Sequence, residues 1–106
     1  MISKILLLMT LFSSSLMAGT ILQSQADVAQ DTTSAQALAA NLERKYLLIQ
    51  NKGAAAVYVK FNSIHIGTEG ISIPAGGNWE PSLVPLNSIW MKAASGTQTV
   101  SVIEGN

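Results

Sequence analysis

The sequence predicts an all-β fold, a small antiparallel β-sandwich of the jelly-roll or immunoglobulin-like kind. Short runs of alternating apolar and polar residues recur from Arg44 to the C-terminus, at the spacing of roughly eight to twelve residues that is typical of sandwiches and barrels. Glycine and proline separate these runs, and no segment shows the period of an amphipathic helix. At 106 residues the chain is long enough for one domain and too short for two separate cores.

Residues 1–22 form an apolar N-terminal segment, extended or partly helical, which has two interpretations. The first interpretation is a secretory signal that is cleaved after Ala18. Its features are Lys4, an apolar run over residues 5–12, three serines and the small residues Ala18 and Gly19. The same run is too short for a membrane span. The alternative is an uncleaved arm that becomes buried against a neighbouring subunit, because an exposed apolar segment of this kind promotes aggregation.

Residues 23–36 are polar and small, and we interpret them as a linker to a sandwich domain over residues 37–106. In the first strong strand, over residues 46–50, both alternating sets are largely apolar, which predicts a strand covered on both sides. Asn51 to Gly53 supply a turn, and Val57, Val59 and Phe61 then point to one face. The pair is a hairpin or its equivalent between the two sheets of a sandwich.

The remaining strands are short and separated by turns. Residues 62–70 form a loop, or an edge excursion around the short apolar pair Ile64 and Ile66. The sequence PAGGN at residues 74–78 is a strong turn signal after the strand that holds Ile71 and Ile73. A short strand at Trp79 ends at proline, which favours an edge position or a crossing between sheets. Two final strands are predicted over residues 88–94, with Ile89, Met91 and Ala93 on one face, and over residues 98–105, with Val100 and Val102 inward and Ser101 outward.

The composition favours association with other proteins over binding to nucleic acid. Six basic and six acidic residues give zero net charge, so no overall field attracts nucleic acid or an anionic membrane. Charged residues make up only 11% of the chain, and a charge-poor surface promotes self-association. The absence of cysteine removes disulfides and thiol chemistry.

Several segments together resemble a small β-domain of tailed-bacteriophage structural proteins, of the head-fibre, capsid-decoration or tail-associated type. They are ALAANLERKYLLIQN at residues 37–51, VYVKF at 57–61, ISIPAGG at 71–77, VPLNSIWMKAA at 84–94 and TVSVIEG at 99–105. The resemblance implies an architectural or binding module without catalytic residues. It also favours an arm over a secretion signal for residues 5–12.

Residues that would carry catalysis, a cofactor or a metal are sparse. The one histidine, His65, has Ser63 and Glu69 nearby, but no glycine elbow flanks a serine, so we interpret it as a loop histidine without catalytic duty. One histidine without cysteine is too few ligands for a transition metal. Gly76-Gly77 is not followed by the lysine of a phosphate loop. We therefore predict a protein that is not an enzyme and binds no cofactor or metal.

Candidate interface residues are the apolar side chains of the N-terminal segment and the two tryptophans, because tryptophan is enriched at interface hot spots. They are Ile5, Leu6, Leu7, Leu8, Leu11, Phe12, Trp79 and Trp90. Trp90 alternates with the core positions Ile89 and Met91, so it can face outward, whereas either tryptophan can also pack in the core. Arg44 and Lys45 are interpreted as a solvated strand end.

These observations lead to a non-enzymatic virion protein that decorates or stabilises a phage capsid, or attaches to the tail. Its expected partners are other virion proteins and further copies of itself, with no nucleic acid, and with a membrane only if the leader is a signal. The alternative is an exported periplasmic or extracellular β-domain that binds carbohydrate or another surface ligand. A small hydrolase that uses His65 is the weakest of the three hypotheses.

Overall fold

The computed structural model describes residues 23–106, which form eight strands and no helix. The strands are β1 (Gln23–Gln30), β2 (Ala35–Leu38), β3 (Tyr46–Asn51), β4 (Val57–Phe61), β5 (Ile71–Ile73), β6 (Asn78–Trp79), β7 (Ile89–Ala93) and β8 (Gln98–Gly105). The predicted all-β class is confirmed. Within the described range no helix could cross a lipid bilayer.

Two four-stranded antiparallel sheets form the sandwich. Sheet A has the order β1-β8-β3-β6 and sheet B the order β2-β7-β4-β5. The pairs β1·β8, β2·β7, β3·β6 and β4·β5 are those of one long antiparallel hairpin rolled around itself. This is the arrangement of a jelly roll, one of the two sandwich types that the sequence predicts.

The inner faces of the two sheets enclose an aliphatic core. Its cluster of buried side chains, each at most 5% exposed, consists of Leu47, Ile49, Val57, Val59, Ile73, Ile89, Met91, Val100 and Val102. These residues occupy every second position along their strands, because successive side chains of a strand point to opposite faces. The inward faces predicted for the strands now named β4, β7 and β8 are therefore confirmed.

The linker predicted over residues 23–36 is wrong, because most of this segment belongs to the sheets. Gln23–Gln30 form β1, which pairs with β8 over its whole length, and β2 begins at Ala35. Only Val28 and Gln30 of β1 are shielded from solvent, and the other six residues are exposed. A polar strand of this kind lacks the apolar alternation by which a strand is recognised in sequence.

The connection from β3 to β4 joins the two sheets, so the alternative to a hairpin is correct. At this end of the sandwich the fully buried Asn51 holds the connection. Its Nδ2 donates to the carbonyls of Ala55 (2.8 Å) and Ile73 (3.0 Å), and its Oδ1 accepts the amide N–H of Gly53 at 3.0 Å.

The prediction that β3 is covered on both sides is wrong. Its outward residue Gln50 is exposed, because nothing in residues 23–106 packs over this position of sheet A.

The outward face of β8 differs from its prediction in one respect. Ser101 points away from the core but is only 2% exposed. It lies on a central strand between Asp27 of β1 and Gln50 of β3, and Gln25 Nε2 donates to its hydroxyl at 3.3 Å. Neighbouring strands therefore bury this outward serine.

The predicted turns and edges are present. In the PAGGN turn the Gly77 amide donates to the Pro74 carbonyl at 2.8 Å, and Gly76 has φ 74°, which a residue without a Cβ adopts readily. Trp79 belongs to β6, which lies at an edge of sheet A just before Pro81. The loop over residues 62–70 folds back over sheet B, as described below.

Candidate functional site

The predicted interface residues of the N-terminal segment lie outside the described residues. They are Ile5, Leu6, Leu7, Leu8, Leu11 and Phe12. Their role as an interface stays a prediction, and the structure places only the two tryptophans.

Trp79 is mainly a packing residue. It is half-buried at the edge of sheet A and packs against the core cluster. Its ring centroid lies 6.0 Å from that of Phe61, with an angle of 30° between the ring planes. An aromatic pair at this separation stabilises the contact between the two sheets.

Trp90 lies on the outer face of sheet B. It alternates with the fully buried Ile89 and Met91, and its strand neighbours are Gln36 on one side and Lys60 on the other. The side chain is half-buried, and its indole N–H donates to the Ser88 hydroxyl at 3.2 Å. The two tryptophans thus belong to different sheets and do not form one shared surface.

The loop over residues 62–70 covers part of the outer face of sheet B. Lys60 Nζ of β4 donates to the Ile64 carbonyl at 3.2 Å and pairs with the Glu69 carboxylate. Lys92 Nζ of β7 donates to the Gly67 carbonyl at 2.9 Å. Two lysines of the sheet thus hold the loop by charge-assisted hydrogen bonds.

His65 belongs to this loop, and its buried side chain contacts Ser34, which precedes β2 at the opposite edge of sheet B. Ser34 Oγ accepts the amide N–H of His65 at 3.1 Å and lies 2.7 Å from Nδ1. A hydroxyl that accepts the amide N–H can donate its own proton to Nδ1, which requires a neutral ring with its hydrogen on Nε2. Nε2 is buried and has no hydrogen-bond partner among the described residues.

The surroundings of His65 favour the neutral ring. Burial, and then the Lys92 cation, lower the pKa of His65 below its ordinary value of 6.5. The backbone of Tyr58 raises the pKa of His65, although Nε2 makes no well-formed hydrogen bond. The Lys60 cation lowers this pKa, and the Glu69 carboxylate raises it. Ser34 is engaged by the loop amide, so this pair clamps the loop to the sheet. A serine nucleophile instead needs an orienting third group and access to substrate.

Arg44 is buried, so the prediction of a solvated strand end is wrong for this residue. Its guanidinium donates to Glu104 Oε2 at 2.7 Å and to the carbonyls of Pro85 (2.6 Å), Asn87 (2.9 Å) and Ala39 (2.9 Å). The arginine side chain is 0% exposed. It therefore ties three loop carbonyls and the end of β8 together at one end of the sandwich.

The same end exposes three leucines, which we call the leucine end: Leu42, Leu83 and Leu86. They are 80%, 90% and 39% exposed. These leucines are absent from the predicted interface residues, because single leucines in polar, proline-containing loops lack strand or helix periodicity. An available signal was the apolar content of the loop over residues 80–88.

The four edge strands differ in how open they are to further pairing. Strand β6 has two residues and precedes Pro81, β5 has three residues and precedes Pro74, and β2 has an irregular register between Gln36 and Leu38. Strand β1 instead runs for eight residues in unbroken register with β8, without proline or glycine and with Asp27 as its one charged residue. Among the described residues, three edges thus carry the devices that normally block edge pairing, whereas β1 carries only the charge of Asp27.

No pocket is found in the part of the chain that the structure describes, and these residues contain no group of three or more histidine, aspartate or glutamate side chains that could hold a metal ion. The surface features with a possible role are therefore the β1 edge, the leucine end and the loop over residues 62–70.

Comparisons with known proteins support the fold. No protein-family model matches the chain, and no curated protein matches it. The chain is similar to a solved structure from Bacillus endospore appendages, which form a family of disulfide-linked pili. The TM-score is 0.52 with 15% sequence identity, and the match covers 81% of this chain and 85% of that chain. At this identity the likeness concerns the fold alone.

Proposed function

We propose that this protein is a non-enzymatic building block of a multi-copy protein assembly. The observation that carries the proposal is the outer edge of β1, which no strand of the described residues pairs with. An unprotected edge strand presents unpaired N–H and C=O groups, which pair with a strand from another chain and extend the sheet.

The composition supports association through this edge. The net charge is zero, and β1 itself has one charged residue, Asp27, so two copies meet little electrostatic repulsion. The exposed polar side chains of β1 keep a separate subunit soluble until the backbone finds a partner. Strand addition is therefore a selective contact, since the other edges of the sandwich are short, irregular or followed by proline.

The first version of this proposal is a virion protein of a tailed phage, on the capsid or the tail, which rests on the sequence resemblance. The second version is an exported subunit of a cell-surface appendage. It is supported by the signal-like outline of residues 1–22 and by the likeness of the fold to a pilus protein. This chain has no cysteine, so its own contacts would not be disulfide-linked.

A charge placed on the β1 edge tests the proposal. We expect the full-length protein to form multi-copy species in light scattering and negative-stain electron microscopy. The double variant Ala26→Lys with Ala29→Lys adds two charges to exposed positions of β1 and should shift the protein to monomers, because edge lysines oppose strand addition.

The matched control is Gln50→Lys with Thr99→Lys, which adds the same charge at exposed positions of the central strands β3 and β8. This control should assemble like the wild type. A wild-type protein that stays monomeric up to high concentration, or two double variants that behave alike, would contradict the role of β1.

The N-terminus of the protein isolated from its source separates the two versions. A mass that starts at Gly19 supports export, and an intact N-terminus together with co-purification on phage particles supports the virion.

A further inference from the structure

The leucine end is built by two parts of the chain, the connection from β2 to β3, which carries Leu42, and the loop over residues 80–88, which carries Leu83 and Leu86. The Asn41 amide donates to the Leu86 carbonyl at 2.8 Å, which places Leu42 beside the loop over residues 80–88. Strand β6 pairs antiparallel to β3, and the Tyr46 hydroxyl donates to Glu80 Oε2 at 2.5 Å. The chain after Glu80 therefore runs toward the start of β3, which brings Leu83 to the same end.

Buried hydrogen bonds hold this surface in place. Arg44 binds the carbonyls of Pro85 and Asn87, which flank Leu86, and also the Ala39 carbonyl ahead of Leu42. The exposed leucines are thus carried by loops whose backbone is fixed. A fixed apolar surface binds a partner with less loss of conformational freedom than a mobile one.

The N-terminal segment joins the sandwich at this same end. Gln23 pairs with Gly105, Gly105 pairs with Tyr46, and the Lys45 amide donates to the Gly105 carbonyl at 2.7 Å. Residues 1–22 therefore connect to the described domain beside the leucine end. Their apolar run at residues 5–12 is separated from Gln23 by ten residues, 13–22.

We propose that the leucine end is the docking site for residues 5–12 of a second copy of this chain. Ten residues reach at most about 33–36 Å when extended, which is longer than an eight-residue strand of about 26 Å, so residues 13–22 are long enough to carry the apolar run clear of its own sandwich. Strand β1 is extended at Gln23. For residues 5–12 to dock on the leucine end of their own chain, residues 13–22 would therefore have to reverse direction. Every copy carries both segment and surface, so two copies can exchange segments in a closed, symmetric contact.

This inference rests on the proposed assembly role and names one of its contacts. Both surfaces are apolar, and their contact removes apolar area from water on each side. The leucine end is distinct from the β1 edge, so the two contacts can be tested separately.

The absence of native cysteine allows a direct test by disulfide trapping. The single variants Leu8→Cys and Leu83→Cys are mixed as full-length proteins, oxidised and analysed on non-reducing gels with mass spectrometry. We expect a covalent heterodimer in severalfold higher yield than from a mixture of Leu8→Cys with Thr97→Cys. Thr97 is exposed in the turn between β7 and β8, so it controls for random collision.

Two trapping results would overturn the proposal. One is equal yields in the two mixtures. The other is an intramolecular disulfide in the double variant Leu8→Cys with Leu83→Cys, together with no heterodimer from the mixed single variants. This result would assign the leucine end to the N-terminal segment of the same chain. A mature protein that lacks residues 1–18 would likewise exclude this occupant.

A second pair of variants does not depend on cysteine chemistry. Leu83→Ser removes an apolar side chain that is 90% exposed, and Ile66→Ser removes one that is 77% exposed on the loop over sheet B. We expect Leu83→Ser to weaken association at least tenfold and Ile66→Ser to leave it unchanged, with unaltered circular dichroism in both. If Leu83→Ser and trapping both fail while the β1 variants still abolish assembly, the building-block role stands and only this docking site is wrong.

Discussion

Two buried polar side chains hold the loops at the two ends of the sandwich. Arg44 binds three loop carbonyls and Glu104 at the leucine end, and Asn51 binds backbone groups of the opposite end. Buried polar groups cost free energy unless they are hydrogen-bonded, and both residues meet this condition through local partners together with distant ones, Glu104 for Arg44 and Ile73 for Asn51. Each residue thus stabilises the loops only when the whole fold is formed.

Replacement of Arg44 should be strongly destabilising. Arg44→Met removes the guanidinium donor from three loop carbonyls and leaves the Glu104 carboxylate with the Asn41 amide in place of its ion pair, and we expect the free energy of unfolding to fall by about 3–5 kcal/mol. Urea denaturation measures this change. Lys45→Met, at an exposed neighbouring position, is the control and should change stability by less than about 0.5 kcal/mol. Equal effects of the two variants would mean that the buried hydrogen bonds contribute little.

His65 should make stability depend on pH near neutrality. The pKa of His65 is lowered in the folded protein, chiefly by burial, so the unfolded chain takes up a proton first when the pH falls through 6.5. Stability is therefore complete above this pH and decreases below it, by at most about 1.4 kcal/mol per pH unit while the folded ring stays neutral.

The measurement is the free energy of unfolding between pH 5 and 7.5 for the wild type and for His65→Gln. The variant has no imidazole and should show the smaller slope. An identical slope in both proteins would assign the pH dependence to other groups.

At the scale of the elements, the alternation of apolar and polar residues predicted the strands that bury one face in the core. It did not predict β1, whose residues are mostly polar and exposed. Strands β4, β7 and β8 carry apolar residues at every second position, so their inward faces followed from sequence alone. Strand β1 reads QSQADVAQ and is held by backbone pairing with β8, which leaves no apolar pattern to detect. Local sequence does not determine which strands pair with each other. For the same reason it left two options open for the connection after β3, a hairpin within one sheet or a crossing to the other sheet.

The loop between β4 and β5 depends on one glycine for its return to the sheet. Gly70 has φ 102°, and a Cβ added there would lie 2.2 Å from the Val59 carbonyl oxygen. We expect Gly70→Ala to lower the free energy of unfolding by about 3 kcal/mol, from backbone strain together with the steric overlap.

Gly67→Ala is the matched control on the same loop. Gly67 has φ 64° but open space around the added Cβ, so its cost should be about 1 kcal/mol. Thermal and urea denaturation of both variants measure the difference. If Gly67→Ala is the more destabilising change, the overlap with Val59 does not limit this loop.

At the scale of the whole molecule, the sandwich was predictable and its contact surfaces were only partly so. The sequence left Trp90 open between an outward position and core packing, and the structure places it on the outer face of sheet B, alternating with buried neighbours. The burial of Arg44 and the grouping of Leu42 with Leu83 depend on the packing of loops far apart in sequence, which no period or motif records. The open edge of β1 likewise becomes visible only when the order of all eight strands is known.

The meeting of Gln23 and Gly105 at one end has a practical consequence for labelling. A purification tag or fluorescent protein fused after Asn106 would emerge next to the exposed leucines and obstruct any contact made there. An epitope inserted in the exposed turn at Ser95 and Gly96 would instead lie at the far end of the β-sandwich. If copies meet through their leucines, labels in that turn would mark the outermost points of each pair.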